Sequence, residues 1–241
     1  MPRLQLIGVG SADSVRHFNT NALVEQSGSR MLIDAGHTVG RALAACQLST
    51  RDIDAVWITH CHADHIYGLE RLGSERLFAG LAKPLLYLDP RLEDELWEHS
   101  LKGSMGRIGE GQRTLRDYFD VQHVGGEFQH GAVQFQVFET RHTPGKLCFG
   151  AIINRHLMYS GDTLPLPEIV ALYRPETILH DFTMHESNPV HASLQQLLDA
   201  YDAPTRRRIK LMSYEDNVAQ IQDAIDASEM SLAEQGFAVA L

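Results

Sequence analysis

Basic charge is the first thing this sequence is short of. Lysine and arginine total 21 against 31 aspartates and glutamates, a formal net charge of −10. Such a balance argues against broad capture of nucleic acid, which needs basic side chains to displace counterions from the phosphates. The only basic run, Arg206-Arg207-Arg208, reads as a solvated rim. Cysteine is scarce too. Cys46, Cys61 and Cys148 are odd in number and lack C-x-x-C spacing, which excludes a disulfide framework and fits free thiols in a reducing compartment. No apolar run approaches the roughly 18 residues of a membrane span. The opening MPRLQLIGVGSADS has none of the regions of a secretion signal. The expected setting is the cytoplasm, with no membrane partner. No linker, charge block or repeat divides the chain, so a single domain over 1–241 is expected.

What the sequence has in quantity is histidine, at 13 copies. Short apolar runs predict strands at 4–9, 21–25, 31–34, 55–59 and 85–88, and helical spacing marks 39–48 and 66–81. The second half repeats this grammar. Strands are expected from 133 to a stop at His142, then at 147–153, 157–159, 177–179, 209–212 and 237–241. Helices run through Leu194, Leu197, Leu198 and Tyr201, and through Val218, Ile221 and Ile225. Two strand-rich halves clad with helices predict an α/β sandwich with two sheets inside. The stretch 101–120, rich in Gly and Arg, reads as either a flap near the site or a solvated loop.

The chemistry concentrates at Thr59-His60-Cys61-His62-Ala63-Asp64-His65-Ile66-Tyr67-Gly68, where a buried strand stops before a helix begins. Histidines two apart on an extended segment point to the same side, so His60 and His62 can share one metal ion. Asp64 and His65 follow as the chain turns and can address a second ion. Imidazole and carboxylate are the usual ligands of borderline metals. Cys61, between two ligands, points away and is expected to be packed.

This segment resembles the T/S-H-x-H-x-D-H-x-x-G signature of the metallo-β-lactamase superfamily. The resemblance extends to Asp34-Ala35-Gly36, to His142 and to Gly161-Asp162-Thr163, and it implies the four-layer αββα sandwich. It also implies two divalent ions, one on His60, His62 and His142, the other on Asp64 and His65, with Asp162 between them and Asp34 bracing the site. Zinc is favoured, with manganese or iron as alternatives.

Within the superfamily, Leu6-Ile7-Gly8-Val9-Gly10-Ser11, Phe18-Asn19-Thr20-Asn21, His180-Asp181-Phe182-Thr183 and His191-Ala192-Ser193 resemble the ribonuclease Z-like phosphodiesterases. That likeness implies that His191 is a general acid, that Asp181 orients it, and that Asp64 counts with them as catalytic. It breaks in two places. Ser213, in Leu211-Met212-Ser213-Tyr214, stands where that branch has a final histidine ligand, so that His185, His180 or His191 would have to replace it. The long basic arm that holds tRNA is missing, which argues against tRNA as a partner. The expected activity is metal-dependent hydrolysis of a nucleotide or another small, anionic phosphodiester, by a hydroxide bridging ions about 3.5–4 Å apart. The alternatives are a carboxyl-ester, lactone or thioester hydrolase of the same fold, or a non-catalytic metal-binding regulator. Assembly into a homo-oligomer is compatible with all three.

Overall fold

Apolar runs too short for helices form two seven-stranded sheets in the computed structural model, which describes residues 1–241. In the first sheet the order is Ala238–Ala240, Arg3–Gly8, Asn21–Gln26, Ser29–Ile33, Ala55–Trp57, Leu85–Leu88, Asp120–His123. In the second it is Glu127–His130, Val133–Glu139, Phe149–Ile153, Leu157–Tyr159, Thr177–Asp181, Ile209–Met212, Ser231–Leu232. Both follow one scheme, with antiparallel pairing through the first four strands and parallel pairing from the fourth onward. The inner parallel strands Ala55–Trp57 and Leu85–Leu88 are apolar throughout because helices or the partner sheet cover both faces, whereas the edge strand Asp120–His123 is polar and mostly exposed. Val133–Glu139 instead alternates, with Val133 and Phe135 buried and Gln134 exposed.

The sheets pack face to face through aromatic rings. Trp57 of the first lies 5.6 Å from Phe128 and 6.0 Å from Phe135 of the second, and Tyr87 stacks on Phe128 at 4.8 Å. Helices such as Val39–Ala45, Gly68–Phe78 and Leu194–Ala200 clad the outer faces, which completes the expected αββα sandwich. No helix is long and apolar enough to cross a membrane.

Some expectations needed correction. The helix expected at 66–81 is two pieces, Ala63–Ile66 and Gly68–Phe78. The hairpin that Gln26-Ser27-Gly28-Ser29 signals does form, through a two-residue turn, Ser27 (φ 46°) and Gly28 (φ 86°), of the kind whose twist matches the strands. The strand at 133 ends at Glu139, so His142 lies in the following loop. Pro167 opens a helix over Pro167–Tyr173, which the sequence did not predict, at a position where its missing N–H costs nothing. The stretch 101–120 is ordered as a helix Lys102–Met105, a hairpin Arg107–Ile108/Gly111–Gln112 and a helix Leu115–Tyr118. The 206–208 run serves structure. Arg206 donates to the Ser228 and Tyr201 carbonyls, Arg207 pairs with Glu229, and Arg208 reaches the Pro175 carbonyl.

Candidate metal centre

Parallel strands direct their carboxyl ends to one edge of a sheet, and there the two sheets bring their polar residues together. Asp34 follows Ser29–Ile33, and Thr59 and His60 follow Ala55–Trp57. From the second sheet, Asp162 follows Leu157–Tyr159, Asp181 ends Thr177–Asp181 and Ser213 follows Ile209–Met212. Asp34 (φ 63°), Gly161 (φ 62°) and Ser213 (φ 66°) turn the chain sharply there through left-handed backbone. Two glycines let the first two loops meet. A Cβ on Gly36 would lie 1.8 Å from the Asp64 carbonyl oxygen, and one on Gly68 would lie 2.4 Å from that of Gly36. Their absence allows Ala35 N–H to donate to the His65 carbonyl and Gly68 N–H to the Ala35 carbonyl, each at 2.7 Å.

The expected ligands converge into two sets that share Asp162. His60, His62, His142 and Asp162 form one, Asp64, His65 and Asp162 the other, with donor atoms within 4.8 Å of one another in each. Outer partners fix the ring tautomers. His142 Nδ1 sits 3.0 Å from the Val190 carbonyl, which can only accept, so its Nε2 carries the lone pair. Thr59 Oγ1 donates to Asp34 Oδ2 at 2.7 Å and so accepts from His60 Nδ1 at 3.1 Å, which frees His60 Nε2. That atom and His142 Nε2 lie 3.0 and 3.2 Å from His62 Nδ1, a cluster of lone pairs that only a cation or a proton can reconcile. His65 donates from Nδ1 to Asp34 Oδ2 at 2.8 Å and turns Nε2 toward Asp64 and Asp162, at 3.3 and 3.4 Å.

Electrostatics agree with cation binding. Burial and the neighbouring rings push His60 well below its ordinary value and lower His62, so both are neutral, the state that ligates. Burial opposes charge on His65, but Asp162, Asp64 and Asp34 outweigh it and hold the ring well above its ordinary value. Surplus negative charge of this kind is what a divalent ion neutralises. The residues present therefore fit two cations.

A second aspartate–histidine pair stands beside these sets. His191 Nδ1 lies 2.8 Å from Asp181 Oδ2, which also accepts from Thr163 N–H at 2.8 Å. Burial disfavours the charged ring, yet the Asp181 carboxylate, with Asp162 and Asp64 further off, lifts His191 to about 9. With Asp64, Asp162 and Ser213, His191 lines a cavity of about 180 Å³ whose other walls are Ser11, Ala12, Asp13, Thr183, His185, Asn188 and Glu215. No residue of 101–120 lines it, so the flap expectation does not hold for this cavity. His17 packs its ring edge-on against Tyr214. Cys61 is buried with its thiol pushed up to about 12 by desolvation, a packed residue as expected. The sequence reading missed the Val190 carbonyl, Asn188 and Glu215. No side-chain pattern marks the first, and the other two sit in loops without a motif.

The family described as "Anti-Pycsar protein Apyc1" matches residues 2–239. An anti-Pycsar protein Apyc1 from Saccharibacillus brassicae is 37% identical over 240 residues, covering 97% of each chain. Among solved structures, a diphosphatase from the PhnP family superposes with a TM-score of 0.80 at 17% identity, over 100% of this chain and 98% of that one. The metallo-β-lactamase-fold protein YhfI from Bacillus subtilis superposes with a TM-score of 0.76 at 15% identity, over 99% and 98%. These two likenesses show the fold that the His60–Gly68 signature implied. The chain belongs to the anti-Pycsar protein Apyc1 family and is a metallo-hydrolase built on the metallo-β-lactamase fold.

Proposed function

We propose that this protein is a metal-dependent phosphodiesterase whose substrate is a small cyclic phosphodiester, a cyclic nucleotide. The observation that carries the reading is the cavity wall. Of the eleven residues lining it only Ala12 is apolar, so a long acyl chain finds no cluster of apolar side chains to bury against, whereas a sugar, a base and a phosphate find hydrogen-bond partners on most of the lining side chains. A cavity of about 180 Å³ favours a compact substrate, and a cyclic ester carries both arms of its phosphorus on one sugar. The net charge of −10 and the structural use of Arg206, Arg207 and Arg208 speak against a long RNA.

In this reading His60, His62, His142 and Asp162 hold one cation, zinc by its preference for nitrogen, and Asp64, His65 and Asp162 hold the second. The cations supply Lewis acidity toward a phosphoryl oxygen and ionise water near neutral pH. Asp34 orients His65 and, through Thr59, His60, while the Val190 carbonyl orients His142. His191 faces the cavity with its Nδ1 proton tied to Asp181, so the proton on Nε2 is the one available to the departing oxygen.

The test is metal analysis of the purified chain with turnover of 3′,5′-cyclic nucleotides, bis(p-nitrophenyl) phosphate, a lactone and a thioester. Expected are phosphodiester turnover that His62→Ala abolishes and none of the carboxyl substrates consumed. Turnover of the lactone or thioester alone would replace this reading with the carboxyl-ester one. Fewer than one bound metal and no turnover would end it.

A further inference from the structure

The two candidate cation sets are chemically unequal. One offers three nitrogens and one oxygen, the other one nitrogen and two oxygens, with Asp162 common to both. No neighbouring imidazole is placed to give the smaller set a second nitrogen. His180 is buried and held at both ring nitrogens, Nδ1 by the Asp181 carbonyl at 2.7 Å and Nε2 by Tyr201 Oη at 3.0 Å. His191 is bonded to Asp181 and shares its 4.8 Å set with Asp162 and Asp181, not with Asp64 and His65. His185 lines the cavity but is 67% exposed, with Nε2 3.8 Å from Glu215.

Ser213 occupies the strand end that faces this set. It lines the cavity with Asp64 and Asp162. Its hydroxyl donates to Thr20 Oγ1 at 3.0 Å, and Thr20 in turn donates to the Gly10 carbonyl at 3.1 Å. The hydroxyl is thus anchored to the first sheet, and a neutral serine oxygen is not among the usual ligands of zinc.

We infer that the Asp64–His65–Asp162 set binds its cation more weakly than the His60–His62–His142–Asp162 set, discriminates less against a harder ion such as Mn²⁺, and takes its missing donor from a phosphate oxygen on the Ser213 side of the cavity. Nitrogen-rich ligation selects zinc, and carboxylate-rich ligation suits harder ions. The phosphate part rests on the proposed phosphodiesterase. By linkage, phosphate then strengthens the weaker site, and the cation there strengthens phosphate binding by the same factor.

The experiment is calorimetric titration of the chelator-treated full chain with Zn²⁺ and with Mn²⁺, each with and without inorganic phosphate. Two steps are expected, separated by about tenfold or more, the least that losing even an outer-shell partner costs a metal site. Phosphate should tighten only the second step, and Mn²⁺ should compete there and not at the first. Ser213→His should narrow the gap, since histidine tolerates the left-handed backbone at φ 66° better than most side chains. Two equal steps, or a second step indifferent to phosphate, would overturn the inference. So would loss of the second step in His185→Ala, which would assign the donor to His185. The phosphate comparison needs no substitution, so a misfolded Ser213→His leaves the inference open to refutation. Unequal, phosphate-linked steps without any phosphodiester turnover would uphold the metal inference and remove the proposed function alone.

Discussion

Asp34–His65 and Asp181–His191 are joined by the same bond, Nδ1 to Oδ2 at 2.8 Å, in opposite halves of the chain. Each aspartate is buried at the end of a strand, one per sheet. What differs is what surrounds the ring. The His65 side chain is 2% exposed, with Nε2 between Asp64 and Asp162, while that of His191 is 27% exposed and lines the cavity. The carboxylates differ as well. Asp34 accepts from Thr59 N–H, Thr59 Oγ1 and His65, using both oxygens, whereas Asp181 Oδ1 has no partner. One dyad thus suits holding a ligand still and the other suits presenting a proton, although the pairs are locally alike. Burial and neighbours, not the dyad itself, set the role.

Removing Asp34 should have the largest effect. Asp34→Ala orphans the Thr59 N–H, the Thr59 hydroxyl and the His65 ring, and each unsatisfied buried group costs about 1–3 kcal/mol. Urea unfolding should register a loss of about 3 kcal/mol or more. Metal content should fall too, since second-shell partners are worth about 10–100-fold in affinity. A variant with unchanged metal content would break the comparison, because Asp34 would then be doing no more than Asp181.

His191→Ala comes next and should act on chemistry alone. Turnover of a cyclic nucleotide should fall by roughly 10²–10⁴, the usual worth of a general acid, with metal content unchanged. With bis(p-nitrophenyl) phosphate the loss should stay under about tenfold, because p-nitrophenolate leaves without a proton. Equal losses on both substrates would mean that His191 positions the substrate and does not protonate it.

The same comparison shows what the sequence could and could not reveal. Asp34, His60, His62 and Asp162 were legible because each lies shortly past a buried apolar strand, and Asp64 and His65 because they follow in the same short segment, in the helix Ala63–Ile66, where residue type and position are read together. The parallel core strands were legible for the same reason. His142 was placed by order along the chain, although its strand stops three residues earlier, at Glu139, and a loop carries it the rest of the way. The Val190 carbonyl that orients it is backbone, and backbone has no letter in a sequence. Residues 101–120 misled because glycine and arginine suggest a loose flap. In the fold Tyr118 is buried and donates to the Met105 carbonyl, and Arg116 pairs with Glu93, contacts that local composition does not encode.

Asp181→Asn should have the smallest effect and sharpens the comparison most. The amide keeps the shape and one acceptor for His191 but removes the charge. A charge-assisted bond exceeds a neutral one by about 1–1.5 kcal/mol, so cyclic-nucleotide turnover at neutral pH should fall by about tenfold. The pH dependence should move as well. Asp181 is the main attraction that lifts His191 to about 9, above its ordinary value of 6.5, so the charged ring is a folded-state gain. That contribution to stability is complete below the unfolded value and is lost as pH rises through the folded one. The stability difference between wild type and Asp181→Asn should therefore be fully developed near pH 6 and shrink toward pH 9 in chelated protein. With cations bound, the charges of Asp162 and Asp64 would be offset, while that of Asp181 beside the ring would remain. The alkaline limb of the rate profile should accordingly lie at lower pH in Asp181→Asn than in wild type, whereas no substitution at Asp34 should move that limb without first removing metal. A limb that stays put in Asp181→Asn would show that the proton lost there is not the one on His191.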